Sequence, residues 1–247
     1  MRVVTSVHHT KARTGIGVAA LLMLSWMATA CTGPDCSSAV YFPGADLSGT
    51  DQSGKQLQLC DLTGVNFSGA TFANANLADS ILTGTNFTNA NLSGIDLGSA
   101  SFTGTTLTGA NLNGANLALA GSSGVVGNPA SLPFGWAIRN NYLVGPFADL
   151  PGATLNNVNL AGLDLSGANL TNANLTSANL SGAKLTLADL TGANVNAANL
   201  AGANLRFTGG PANATTASAL FSGATICFTN QPASATGNSC VGVGVGW

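Results

Sequence analysis

ANLTNANLTSANLSGAKL, residues 168–185, decides the fold. Leu recurs at 170, 175, 180 and 185, and Ala stands two places before each, at 168, 173, 178 and 183. On an α-helix five residues advance about 500°, so these Leu would scatter around the whole cylinder. In a flat strand five is odd, and successive Leu would alternate faces. An Ala and a Leu two apart do share a face of an extended segment. A short extended piece followed by a corner, repeated, satisfies both conditions. Four corners close a square, so one coil takes 20 residues. Leu or Phe and the small residue two before it then point inward, and the other three positions face outward or make the turn.

The period runs through two blocks. In the first the central residues go from Leu62, Phe67 and Phe72 in steps of five to Leu117; in the second they go from Leu150 to Leu205. Leu57, Leu47 and Phe42 extend the first phase backwards, with Gln52 as a gap, and Phe221 and Ile226 restart the pattern in a new phase. The residue before the central one is commonly Asn or Asp, as at Asp61, Asn66, Asn76, Asn169 and Asn174, and Ser or Thr then Gly or Asn usually follows. That is turn chemistry. No charged residue takes an inward position in either block. One coil cannot stand alone; it needs ladder hydrogen bonds and burial against coils above and below, about 4.8 Å away. The 20-residue register also places Asp164 over Lys184, and a surface ion pair is expected there.

The A(N/D)LXX pattern resembles that of the pentapeptide-repeat family, closely over residues 57–117 and 150–205 and loosely elsewhere. The resemblance implies an all-β fold, a right-handed quadrilateral β-helix, here with about seven to eight 20-residue coils, a looped interruption and end caps. It implies little about activity, because the family is functionally mixed.

The expected organisation is a signal segment at 1–30, an N-terminal cap with an irregular first coil at 31–56, block 1 at 57–117, a looped interruption at 118–149, block 2 at 150–206 and a C-terminal cap at 207–247. Lys55 falls on a nominally inward position, which is why the coil there is expected to be irregular. Leu117 to Leu150 is 33 residues, one coil plus 13, so the interruption reads as a coil carrying a loop. Within it Asn140-Asn141 separates Trp136–Arg139 from Tyr142–Gly145, a tight hairpin since Asn tolerates left-handed geometry. Its L-P-x-G-W…L-V-G-P wording is similar to stretches between blocks in other members of the family. Trp136, Arg139 and Tyr142 are the candidate partner contacts, because aromatics and Arg dominate binding hot spots; the competing role for Trp136 is to plug the coil interior or cover its corner. Caps are needed because an open coil end exposes backbone edges, and the closing VGVGVGW alternates like an edge strand, with Trp247 placed to cover the last coil.

The N-terminus reads as an export signal: Arg2, Lys11 and Arg13, then a mostly apolar run from Ile16 to Ala30, shorter than a membrane span. Ala28-Thr29-Ala30-Cys31 resembles the lipobox of bacterial lipoproteins, which makes Cys31 a candidate lipidation site and first residue of the mature chain; Leu is usual where Ala28 stands. Of five Cys, lipidation of Cys31 leaves an even four for an oxidising compartment. Three connectivities exist, and Cys36–Cys60 with Cys227–Cys240 is chosen because each pair sits at one end of the chain. No pair has C-x-x-C spacing and no His is nearby, so a metal site is disfavoured.

Beyond residue 30 the chain has no His, Met or Glu; four bases, Lys55, Arg139, Lys184 and Arg206, face nine Asp, a net charge of −5. No Ser-His-Asp set, phosphate-binding loop or zinc constellation is present, and the Asp fall on outward positions, so the chain reads as a non-enzyme without cofactor. Mimicry of DNA, the best-known activity in the family, is the least favoured function. Duplex DNA carries roughly one charge per 1.7 Å, so a rod of seven or eight coils would need on the order of 20 charges. Columns of Thr63, Thr83 and Thr103, and of Ser68, Thr88 and Thr108, suggest ice or glycan binding as the alternative, although Thr also suits any β surface. The leading expectation is a non-catalytic bacterial envelope protein, anchored to the membrane through Cys31 or secreted. Its rigid rod would present faces to an unidentified protein or envelope component. Nucleic acid is not expected as a partner, and a homodimer through the C-terminal cap fits the family.

Overall fold

The computed structural model describes residues 35–36, 40–208, 224–228 and 241–243. Among them there is no helix. Parallel bridges join residues 20 apart in four stacks, one per face of the coil. The first face runs Asp46–Asn66–Asn86–Thr106–Val126, the second Asp51–Thr71–Asn91–Asn111–Ser131 and the third Gln56–Asn76–Asp96–Asn116. The fourth runs Asp61–Ile81–Ser101–Gly121–Asp149–Asn169–Asp189 and crosses the interruption without a break. After it, the first three faces continue at Thr154–Asn174–Asn194, Asn159–Asn179–Asn199 and Asp164–Lys184–Asn204. The stack of four-faced coils expected from the period of five is the fold observed.

Each face is pinned by main-chain bonds to both neighbouring coils. Asn66 N–H donates to the Ala45 carbonyl of one neighbour (2.8 Å), and Phe67 N–H donates to the Asn86 carbonyl of the other (2.8 Å). Each corner is a four-residue turn: Ala70 N–H closes on the Phe67 carbonyl at 3.0 Å. Its third residue, Gly69, has φ 68°, as a type II turn requires. This is why Gly or Asn follows the Ser or Thr in the repeat.

The inward positions are buried as the period demands. Every central residue from Leu62 to Leu117 and from Leu150 to Leu205 is at most 6% exposed, with the small residues mostly buried beside them. Near the N-terminal end Phe67 and Phe87 stack with centroids 5.6 Å apart, and Phe72 meets both rings edge-on. Where Thr replaces the small residue, its hydroxyl is satisfied: Thr85 and Thr105 Oγ1 donate to the Leu62 and Leu82 carbonyls at 2.7 Å.

Three expectations change at the ends and in the interruption. Lys55 does not make its coil irregular: Asp51 pairs with Thr71 and Gln56 with Asn76 in the ordinary step, and Lys55 itself is half-buried. Phe42 does not extend the inward phase; it is exposed, and Tyr41 is buried instead. The cause is Gln52, which occupies a central position and must be satisfied once buried. The Tyr41 hydroxyl donates to its Oε1, and its Nε2 donates to Thr50. The interruption is also smaller than 33 residues suggested. Gly121 pairs with Asp149, a step of 28, so the coil carries eight extra residues; the other five of the 13 are one ordinary face. The excess forms a hairpin of β1 (Ala137–Arg139) and antiparallel β2 (Tyr142–Val144), with Asn140 and Asn141 at φ 46° and 63°.

β3 (Asn204–Thr208) continues the third face; β4 (Ala224–Phe228) pairs parallel to it, and β5 (Val241–Val243) pairs antiparallel to β4 at the sheet edge. Leu205 faces Ile226, a step of 21, which is the change of phase seen in the sequence. Cys36 and Cys60 lie at disulfide distance, their Cα atoms 5.9 Å apart. Cys227 lies on β4 opposite Arg206; its expected partner Cys240, together with Cys31, the signal segment and Trp247, lies outside the described residues.

Candidate interaction surface

The outward Asn and Asp do two jobs. Their Oδ1 accepts the N–H two residues on, as Asn66 does from Ser68 (3.1 Å) and Asn169 from Thr171 (3.1 Å), which holds the corner. Their amides also donate to the preceding coil: Asn86 to Asn66 (3.0 Å), Asn66 to Asp46 (2.9 Å) and Asn169 to Asp149 (2.7 Å). The ladders all donate towards the N-terminal side. A carboxylate, which only accepts, therefore suits the head of a ladder, and Asp46, Asp51 and Asp149 stand at three of them, while Asn159 heads the one through Asn179 and Asn199.

These bonds set the response to pH. Hydrogen bonds from Ser48, helped by Asn66, hold Asp46 below the ordinary 3.8, and those from Ser53 and Thr71 do the same for Asp51. For Asp164, burial works upward, but Ser166 and Lys184 outweigh it and the net shift is down. Carboxylates with depressed folded pKa contribute stability above the unfolded value and lose it as pH falls through the folded one. Tyr41 is shifted the other way, by burial and then by Asp35. Its contribution is complete below its ordinary 10.0 and fades as pH rises through the folded value. The described residues contain no His. The melting temperature is therefore expected to be flat from about pH 5 to 9 and to fall outside that window; a thermal scan in matched buffers checks this.

The candidate contacts at the interruption are largely engaged within the molecule. Trp136 is half-buried and packs against the apolar interiors on both sides of the interruption, with its ring on Gly145. Arg139 Nε donates to the Asn159 carbonyl (2.9 Å), and the Tyr142 hydroxyl accepts the Thr154 N–H (3.2 Å). The hairpin thus clamps the following coil. Phe134, between Pro133 and Gly135, is the most exposed of the large apolar side chains of this segment. Of the Thr columns, Ser123 extends the first by donating to Thr103 Oγ1 at 3.5 Å, whereas Thr88 turns its hydroxyl onto Asn86. The expected pair of Asp164 and Lys184 is present at 3.8 Å on the surface, an interaction worth under about 1 kcal/mol.

A feature missed in the sequence lies at the corner between the third and fourth faces. Its left-handed position is occupied in successive coils by Leu59, Asp79, Ser99, Leu119, Phe147, Gly167 and Leu187. Leu59, Leu119, Phe147 and Leu187 have φ of 58–63° and are about half exposed. A left-handed non-glycine residue costs on the order of 1 kcal/mol, most readily tolerated by Asn or Asp. Large apolar residues there combine strain with exposure. Apolar residues two places after a central one, where the repeat has Gly or Asn, were the available signal. Among the described residues no group of three or more His, Cys, Asp or Glu could hold a metal, and no helix is long and apolar enough to cross a membrane.

The family model for pentapeptide repeats matches in eight copies, over residues 41–79, 60–98, 80–118, 147–176 and 168–206, more than half of the chain. No curated protein matches the sequence. Among solved structures, the chain is similar to full-length QnrB1, a plasmid-mediated fluoroquinolone resistance protein: 18% identity, TM-score 0.29, 76% of this chain and 82% of that one. It is similar to HetL, involved in heterocyst differentiation regulation in the cyanobacterium Nostoc sp. strain PCC 7120: 25% identity, TM-score 0.23, 86% and 98% covered. A third is a pentapeptide repeat protein of the Arabidopsis thaliana thylakoid lumen: 26% identity, TM-score 0.11, 67% and 72% covered.

Proposed function

The chain belongs to the pentapeptide-repeat family, and from that premise we propose that it is a non-catalytic interaction protein of the bacterial cell envelope. In this reading the coils wind in a right-handed quadrilateral helix of about seven to eight turns, closed by a cap at each end. The rod presents its faces to a protein or envelope component and is held to the membrane through a lipid on Cys31. The observation that carries export is Cys36 and Cys60 at disulfide distance, an arrangement at home in an oxidising compartment. The interaction role is supported by the exposed apolar corner on a scaffold whose described polar side chains largely bond within the rod.

Intact mass of the protein from its native host, with membrane and soluble fractions separated, tests the proposal against the Cys31→Ala variant. An acylated, membrane-bound chain beginning at Cys31, lost in the variant, is the expected result. An unprocessed cytoplasmic chain overturns it. Ice or glycan binding through Thr63, Thr83 and Thr103 has one observation in its favour, the extension of that column by Ser123. Thermal hysteresis at micromolar protein, or its absence, decides that reading.

A further inference from the structure

We propose that the corner carrying Leu119, Phe147 and Leu187 is a docking ridge for a cationic, apolar protein segment; this deepens the interaction-rod reading and rests on it. The three residues share one left-handed corner position, and Leu119 N–H donates to the Phe147 carbonyl at 2.8 Å. The Phe147 ring lies over Gly167, the residue at the same corner position in the coil between Phe147 and Leu187. They are 58%, 49% and 60% exposed. The ridge spans three coil steps, about 15 Å, the length of four or five extended residues.

Charge on the flanks selects the partner. Along the length of the ridge the third face brings Asp164 to one side, and the fourth brings Asp149 and Asp189 to the other. Among the described residues of these two stacks Lys184 is the one cation, and it faces Asp164. An apolar ridge with Asp149 and Asp189 on one flank and Asp164 on the other complements a segment of alternating basic and apolar residues, with the apolar ones on the ridge and the basic ones towards the Asp. The same charges disfavour an anionic membrane surface, and they would oppose one another across a ridge-to-ridge pair of two copies of this chain.

The test uses the purified chain, as released from its host, and a fluorescent peptide of alternating Lys and Leu. Glu-Leu and Lys-Ser peptides are controls. The variant L119N/F147N/L187N puts at this corner the residue that Asn74, Asn89 and Asn172 supply, at φ 56–58°, elsewhere in the coil. It should therefore melt no lower than the wild type. V126N removes an exposed apolar side chain from the first face. The expected result is salt-sensitive binding of the Lys-Leu peptide alone, at least about tenfold weaker in the triple variant and unchanged in V126N. No binding of that peptide, or equal binding by the triple variant, overturns the ridge. A wild-type dimer that the triple variant converts to monomer also overturns it, since a second copy would then be the occupant. Acylation of Cys31 together with binding that ignores the triple substitution would sink the ridge and leave the envelope reading standing. An unprocessed chain that binds as expected would do the reverse.

Discussion

Phe87→Ala is expected to destabilise the protein by about 3–5 kcal/mol. The ring is fully buried. It lies nearly parallel to Phe67, at an interplanar angle of 8°, and edge-on to Phe72 with centroids 5.8 Å apart. Removing it takes away its own transfer free energy and also the partner of two other rings. The backbone cannot close the gap, because Phe87 N–H and the Asn86 carbonyl are tied to adjacent coils at 2.9 and 2.8 Å. For a chain of this length the loss corresponds to a fall in melting temperature of roughly 6–20 °C. The contrast is Leu119→Asn, an exposed residue at φ 61°, where the fold should lose nothing and gain a few tenths of a kcal/mol or more by relief of strain. Chemical denaturation of the two variants separates inward from corner positions. Equal costs would contradict the assignment of faces.

That contrast also marks how far the sequence could be read. The inward lattice was legible because burial imposes one chemical demand at fixed spacing, and Leu, Phe and Ala meet it coil after coil. The cross-coil pair of Asp164 and Lys184 followed from the same arithmetic. The lattice stops informing where a coil has no regular neighbour. At the N-terminal end Tyr41 displaces Phe42 because the buried amide of Gln52 needs a hydrogen bond more than the core needs another phenyl. At the interruption, spacing alone could not divide 13 residues into a loop and a face. Only the ladder from Gly121 to Asp149 does so. The apolar corner escaped notice because a turn position is read for its backbone, and Leu119 or Leu187 there looks like a lapse from the repeat until exposure and φ are known together.

Gly145→Ala is expected to be costly in the native chain and much less so when Trp136 is also Ala. Gly145 is buried, and a Cβ there would lie 2.4 Å from Trp136 Cδ2. Its φ is not in the left-handed region, so Ala can adopt the backbone, and the three atoms nearest the added Cβ all belong to the indole. Overpacking of this kind costs about 1–3 kcal/mol. Trp136→Ala should cost about 3 kcal/mol or more, since the ring packs against the interiors on both sides of the interruption. Because the first substitution harms only through the second residue, the two effects should fall short of additivity by most of the Gly145→Ala cost. A double-mutant cycle measured by denaturation tests this. Additive costs would mean that the indole does not rest on Gly145. Loss of the ring should also weaken cooperativity, because a solenoid passes stability only between neighbouring coils, and the 28-residue coil is where block 1 meets block 2. Hydrogen exchange on Trp136→Ala is then expected to show the amides of one block opening before those of the other, where the native chain opens them together.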